Sequence, residues 1–170
     1  LYSLVKAALE FRKYNLALTL IRGHRQIFVE KPSAEFRAAH SNEGNLFHVL
    51  AAFSGSGQSN EAMLLKVAEM LSKIGVQWFD ETSSRPVTLA AEAANYTLLE
   101  FFEANQPQKI KGMASLANDQ KLTATNIVAH LLSDGNRSRW VADSHLNWLR
   151  RLIKAGANVN DVNCVFRAPA

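Results

Sequence analysis

Apolar positions recur at the helical period in four stretches of this chain, and polar, Gly-rich or Pro-containing segments separate them. Leu46, Val49, Leu50 and Phe53 fall at i, i+3, i+4 and i+7, which puts them on one face of a helix opened by Gly44-Asn45. Ser54-Gly55-Ser56-Gly57-Gln58-Ser59-Asn60 breaks that helix. In the run from Glu61 to Ile74, Met63, Val67, Met70, Leu71 and Ile74 form a second stripe, with Glu61, Lys66, Glu69 and Lys73 outside it. Ser59 or Asn60 is the expected N-cap, and Gly75 the expected C-terminal stop.

The same plan fits three other segments. Ser3 to Ala8 and Leu16 to Ile21 read as a first helix pair. In the third, Pro86, Leu89, Ala90 and Ala93 take the places of Leu46, Val49, Leu50 and Phe53, with Pro86 in the first turn, where a missing N–H costs nothing. The fourth runs from Thr125 to Leu132, crosses a polar insertion at Ser133 to Ser138, and resumes at Leu146 to Ile153. The paired stretches are thus Leu1 to about Glu30, Gly44 to Gly75, Arg85 to Asn105 and Thr125 to Ala157. Including their connections, they divide the chain at 1–43, 44–84, 85–124 and 125–170, one repeat domain of all-α class.

The run from Arg85-Pro86-Val87-Thr88-Leu89-Ala90-Ala91 through Glu92, Asn95 and Phe102 resembles one repeat of the ankyrin family, in which Thr-Pro-Leu-His-Leu-Ala-Ala opens an inner helix and a more apolar helix follows. Lys154-Ala155-Gly156-Ala157-Asn158-Val159-Asn160-Asp161 resembles the family's Gly-Ala-Asp-Val-Asn ending. The family's small alanines let an inner helix sit close to its neighbour. Inner helices here are spaced by about 40 residues against about 33 in the family, with long loops expected at Gln26 to Glu43 and Gln106 to Leu122. The second segment lacks Thr-Pro, and His48 stands for the motif histidine with a one-residue ambiguity. A HEAT-like or other helical-hairpin array is the alternative fold.

The resemblance implies a solenoid of about four helical hairpins with short extended fingers between them and a concave groove that holds peptide segments or protein domains. On that reading Trp78, Phe79, Asp80 and Glu81 lie on a finger with Arg85, while Thr88, Glu92 and Asn95 lie on the adjoining inner helix and turn. Large aromatics on a projection are strong contact anchors; the alternative is that Trp78 or Phe79 tucks into the core. Trp148 reads as core. Trp140, in a polar insertion beside Arg137 and Arg139, is a second candidate anchor.

With 48% apolar and 20% charged residues the chain can bury a sizeable core, and it is expected to be excised from a longer protein. A net charge of +4 comes without a basic block; the dense groups are Arg22-Gly23-His24-Arg25, Arg137-Ser138-Arg139 and Arg150-Arg151. Nucleic-acid binding therefore ranks third, and requires those arginines to converge. Cys164 is the only cysteine, so an intrachain disulfide and paired-thiolate zinc motifs are excluded and a reducing compartment fits. No apolar run of about 20 residues predicts a membrane span, and no signal peptide is read at the start. An intracellular location, cytoplasmic or nuclear, is expected.

Five histidines occur without the i, i+4 spacing that would hold a metal on one helix face; His48 and His130 are expected to bond neighbouring backbone. Ser54-Gly55-Ser56-Gly57 lacks the Gly-Lys-Ser/Thr of a phosphate-binding loop, and no Gly-x-Ser-x-Gly occurs. The triplets at Asn95 and Asn136 are read as chance, with Asn95 placed at a turn. The expectation is a non-catalytic protein-interaction module of a larger scaffold or regulatory protein, without metal or cofactor. The alternative is a structural domain that packs on a neighbouring catalytic domain or mediates oligomerisation.

Overall fold

The computed structural model describes residues 1–26, 45–52, 58–76, 85–114, 123–133 and 139–157. Among them the fold is all-helical, without strands. The helices are α1 (Tyr2–Glu10), α2 (Tyr14–Gly23), α3 (Leu46–Ala51), α4 (Gln58–Lys73), α5 (Arg85–Glu92), α6 (Tyr96–Asn105), α7 (Pro107–Ala114), α8 (Ala124–Ser133) and α9 (Arg139–Lys154). They pair as the hairpins α1/α2, α3/α4, α5/α6 and α8/α9.

The hairpins lie in a row. Helix α1 packs on α3, α3 on α5 and α5 on α8, while α2 packs on α4 and α4 on α6. One apolar cluster runs from Val5 to Ala157, with Leu9, Ile21, Leu50, Leu71, Leu99, Phe102 and Leu152 among its deepest members. At the junction of the second and third hairpins Phe47 meets Phe101 and Phe102 at ring-centroid distances of 6.3 and 5.9 Å.

The local chemistry of the ends explains where each helix stops. Arg12 and Ala94 turn the chain between paired helices with φ of 55° and 52°, and Gly75 and Gly156 end α4 and α9 with φ of 86° and 96°. In all four the next amide reaches back five residues: Lys13 to Ala8 (2.7 Å), Asn95 to Ala90 (2.7 Å), Val76 to Leu71 (3.0 Å) and Ala157 to Leu152 (3.1 Å). That bond, with the shorter one from the left-handed residue itself, satisfies carbonyls a helix end would otherwise leave unpaired.

Arg12 and Ala94 stand 82 residues apart, and Gly75 and Gly156 stand 81 apart. The first hairpin therefore corresponds to the third and the second to the fourth. Identical residues follow the same offsets: Val5/Val87, Ala8/Ala90, Glu10/Glu92, Tyr14/Tyr96 and Leu16/Leu98, then Leu65/Leu146, Leu71/Leu152, Lys73/Lys154 and Gly75/Gly156. The unit that recurs is a pair of hairpins.

Three details differ from expectation. Helix α4 begins at Gln58, so Ser59 and Asn60 lie within its first turn rather than capping it. The stretch after Gln106, read as loop, contains α7; Pro107 suits a first helical position, and Ile110, 2% exposed, ties the helix to α5 and α6. His130 lies exposed on α8, whereas His48 is buried and its Nδ1 accepts from the Asn45 amide at 3.0 Å.

Tyr14 illustrates how the two units differ. Its side chain is buried and its hydroxyl has no hydrogen-bond partner. Burial pushes its pKa above the ordinary value, with the Arg12 charge pulling weakly the other way. The unfolded chain then releases this proton at a lower pH than the folded chain does, so stability falls as pH rises through about 10. Tyr14→Phe is expected to flatten that loss and to be neutral or stabilising at pH 7, read from urea denaturation at both pH values.

Candidate functional site

The sequence-predicted contact residues fall into three groups. Trp78, Phe79, Asp80 and Glu81, as a finger, lie outside the described residues. Arg85 opens α5, but its side chain is also outside them. Thr88, Glu92 and Asn95 are described: Glu92 is exposed on the edge of α5, while Thr88 and Asn95 are each 1% exposed.

Asn95 is an internal strut. Its Oδ1 accepts from the Leu98 amide at 3.3 Å, capping α6, and its Nδ2 donates to the Leu50 carbonyl of α3 at 3.1 Å. It thereby ties the third hairpin to the second. Lys13, the corresponding residue of the first hairpin, is exposed.

A polar constellation that sequence reasoning missed joins α6 to α9. Tyr96, Glu100 and Glu103 share one face of α6 at helical spacing. Trp148 of α9, 2% exposed, stacks on Tyr96 with centroids 5.9 Å apart and rings 9° from parallel. The Tyr96 hydroxyl is hydrogen-bonded to Nδ1 of His145, which is fully buried. Arg151 lies over the Trp148 ring at 4.1 Å and pairs with Glu100 at 3.0 Å and with Glu103.

The corresponding face of the first unit is apolar. Tyr14, Leu18 and Ile21 of α2 are buried where α2 packs on α4, and the α4 residues matching His145, Trp148 and Leu152 are Leu64, Val67 and Leu71. No polar atom in those three side chains can satisfy the Tyr14 hydroxyl. The signal for the polar seam was present in the Tyr14/Tyr96 match, followed by Leu18 and Ile21 in one copy and Glu100 and Glu103 in the other.

Chemically the seam is a clamp. The side chains of Arg151 and Glu103 are 32% and 30% exposed and that of Glu100 is 58% exposed, so water and salt screen the ion pairs. Most of its cohesion comes from the buried Trp148 ring and the half-buried Tyr96 ring stacked on it. No group of three His, Cys, Asp or Glu side chains among the described residues is placed to hold a metal ion. No described helix is long and apolar enough to cross a membrane.

Arg137 and the side chain of Arg139 lie outside the described residues, and Arg22 and Arg25 do not reach this seam. Arg22 and Arg25 belong to the first hairpin and its exit, with two hairpins between them and the hairpin of α9, and Arg151 is already paired with two carboxylates. No protein-family model, no curated protein and no solved structure matches the chain.

Proposed function

We propose that the chain is an ankyrin-like solenoid serving as a non-catalytic protein-interaction module of a larger intracellular protein. It holds a peptide segment or protein domain along its inner-helix row. The observation that carries this reading is the packing order: α1, α3, α5 and α8 form one continuous row, with Glu10, Ala52, Glu92 and His130 exposed along it. Such a row repeats one exposed edge at each hairpin, which suits an extended ligand contacted by several repeats in turn. Trp78, Phe79, Asp80 and Glu81 precede Arg85 in the sequence and are proposed as contacts beside Glu92.

The test is a binding assay with a partner captured by the wild-type domain, against Trp78→Ala with Phe79→Ala and, separately, Glu92→Lys. Circular dichroism first establishes equal helicity. A loss of tenfold or more in affinity for both variants is the expected result, since aromatic anchors and the charges beside them dominate such contacts. Undiminished binding by both variants would place the contact surface elsewhere and end this reading.

A further inference from the structure

The outer helices are not joined alike along the row. The backbones of α2 and α4, and of α4 and α6, run close together, whereas those of α6 and α9 stand further apart. Side chains span that wider gap: Tyr96 reaches His145 and Trp148, and Arg151 reaches Glu100 and Glu103. On the inner side α8 packs on α5 as closely as α3 does. The fourth hairpin is therefore attached by direct helix packing along α5 and by a side-chain clamp along α6.

Within the clamp, His145 is the side chain of a type that changes charge between pH 5 and 8. It is fully buried, its ring meets the Tyr96 ring edge-on with centroids 5.4 Å apart, and its Nδ1 is hydrogen-bonded to the Tyr96 hydroxyl. The charged groups on the surrounding helices are directed elsewhere. On α6, Glu100 and Glu103 pair with Arg151, and on α9 itself Asp143, Arg150 and Lys154 are exposed. The titratable group of α8, His130, is exposed, as is Glu92 of α5. A proton on His145 thus sets a cation among the Tyr96 and Trp148 rings, out of reach of water and on the same helix as the Arg151 cation. Burial opposes that charge. In the second hairpin the matching position holds Leu64, also fully buried, which does not titrate.

We infer that the seam between α6 and α9 is an acid-sensitive latch: proton uptake by His145 releases α9 from α6, and the fourth hairpin swings outward about the contact of α8 with α5. The open form carries the extra proton, so the closed form is favoured as pH rises. Each pH unit below about 6.5, the ordinary histidine value, shifts the balance towards the open form by up to about tenfold. The seam between α2 and α4 has no such response. The inference does not depend on what the inner-helix row binds.

Pairs of nitroxide labels, read by pulsed electron spin resonance in a Cys164→Ser background, test it. One pair, at Ala104→Cys and Lys154→Cys, spans α6 and α9; the matching pair, at Arg22→Cys and Lys73→Cys, spans α2 and α4, and all four positions are exposed. The pH is lowered from about 7.5 to no less than about 5, above the range in which carboxylates take up protons. In the first pair a longer-distance population should appear and grow by up to about tenfold per pH unit. The second pair and the helicity seen by circular dichroism should not change. His145→Leu, which installs the residue of the second hairpin, and His145→Gln, which keeps a polar partner for the Tyr96 hydroxyl, should each abolish the response, so either one that folds can decide. A distance between α6 and α9 that stays constant down to about pH 5 would overturn the inference. So would a response that survives in a folded His145 variant, an equal change between α2 and α4, or a lengthening that comes with loss of helicity, which is acid unfolding.

Discussion

Trp148→Ala is expected to destabilise the fold by about 3–5 kcal/mol, the range for truncating a large aromatic in a core. The fourth hairpin should loosen before the rest. Trp148 is 2% exposed and contacts both the Tyr96 ring and the Arg151 guanidinium. Removing the indole leaves a cavity between α6 and α9 and takes away the surface that orients Arg151 towards Glu100 and Glu103. Because hairpins in a row contact only their neighbours, the loss should stay local. Hydrogen exchange should accelerate in α8 and α9 and remain slow in α1 to α4. Uniform acceleration across all helices would show that the row unfolds as one unit.

The second large effect is expected at Asn95→Ala, about 2–4 kcal/mol. Loss of the N-cap of α6 accounts for about 1 kcal/mol. The Leu50 carbonyl then loses the Nδ2 donor at 3.1 Å in a buried setting, adding about 1–3 kcal/mol. Asn95→Asp separates the two contributions, since a carboxylate still caps α6 but cannot donate to Leu50. Chemical denaturation should rank the wild type first, Asp next and Ala last if the cap matters independently. Equal losses in both variants would assign the whole effect to the strut.

Much of the helical pattern was legible in the sequence because it depends on short-range chemistry. The apolar spacing located helices in all four hairpins, and the outer helix of the third came from the family resemblance. Gly75 marked a helix end because only glycine takes φ near 90° without strain, and Pro86 sat in a first turn where its ring is tolerated. Two left-handed turns escaped notice because Arg12 and Ala94 occupy them, and neither residue type advertises that conformation. Helix α7 escaped for a related reason. Ile110, the deep anchor among its described side chains, gives little periodic signal, and the helix packs against α5 and α6.

The site was less legible. Asn95 was read as a turn residue from its side-chain chemistry, which holds, but its bond to Leu50 spans 45 positions and only the packing of α3 on α5 creates it. The Tyr96, Trp148 and Arg151 stack likewise needs α6 and α9 to be neighbours in space. Glu100 and Glu103 meet Arg151 across 51 and 48 positions, a pairing that only the folded packing brings about.

The two-hairpin recurrence sets the steps in which such a row can lengthen or shorten. Junctions are of two kinds: a dry or clamped one within a pair, between α2 and α4 or between α6 and α9, and an aromatic one between pairs, where Phe47 meets Phe101 and Phe102. Inserting or deleting a whole pair recreates only contacts the molecule already makes. A single extra hairpin would instead set Leu18 or Glu100 against a surface shaped for neither, so the row grows by twos.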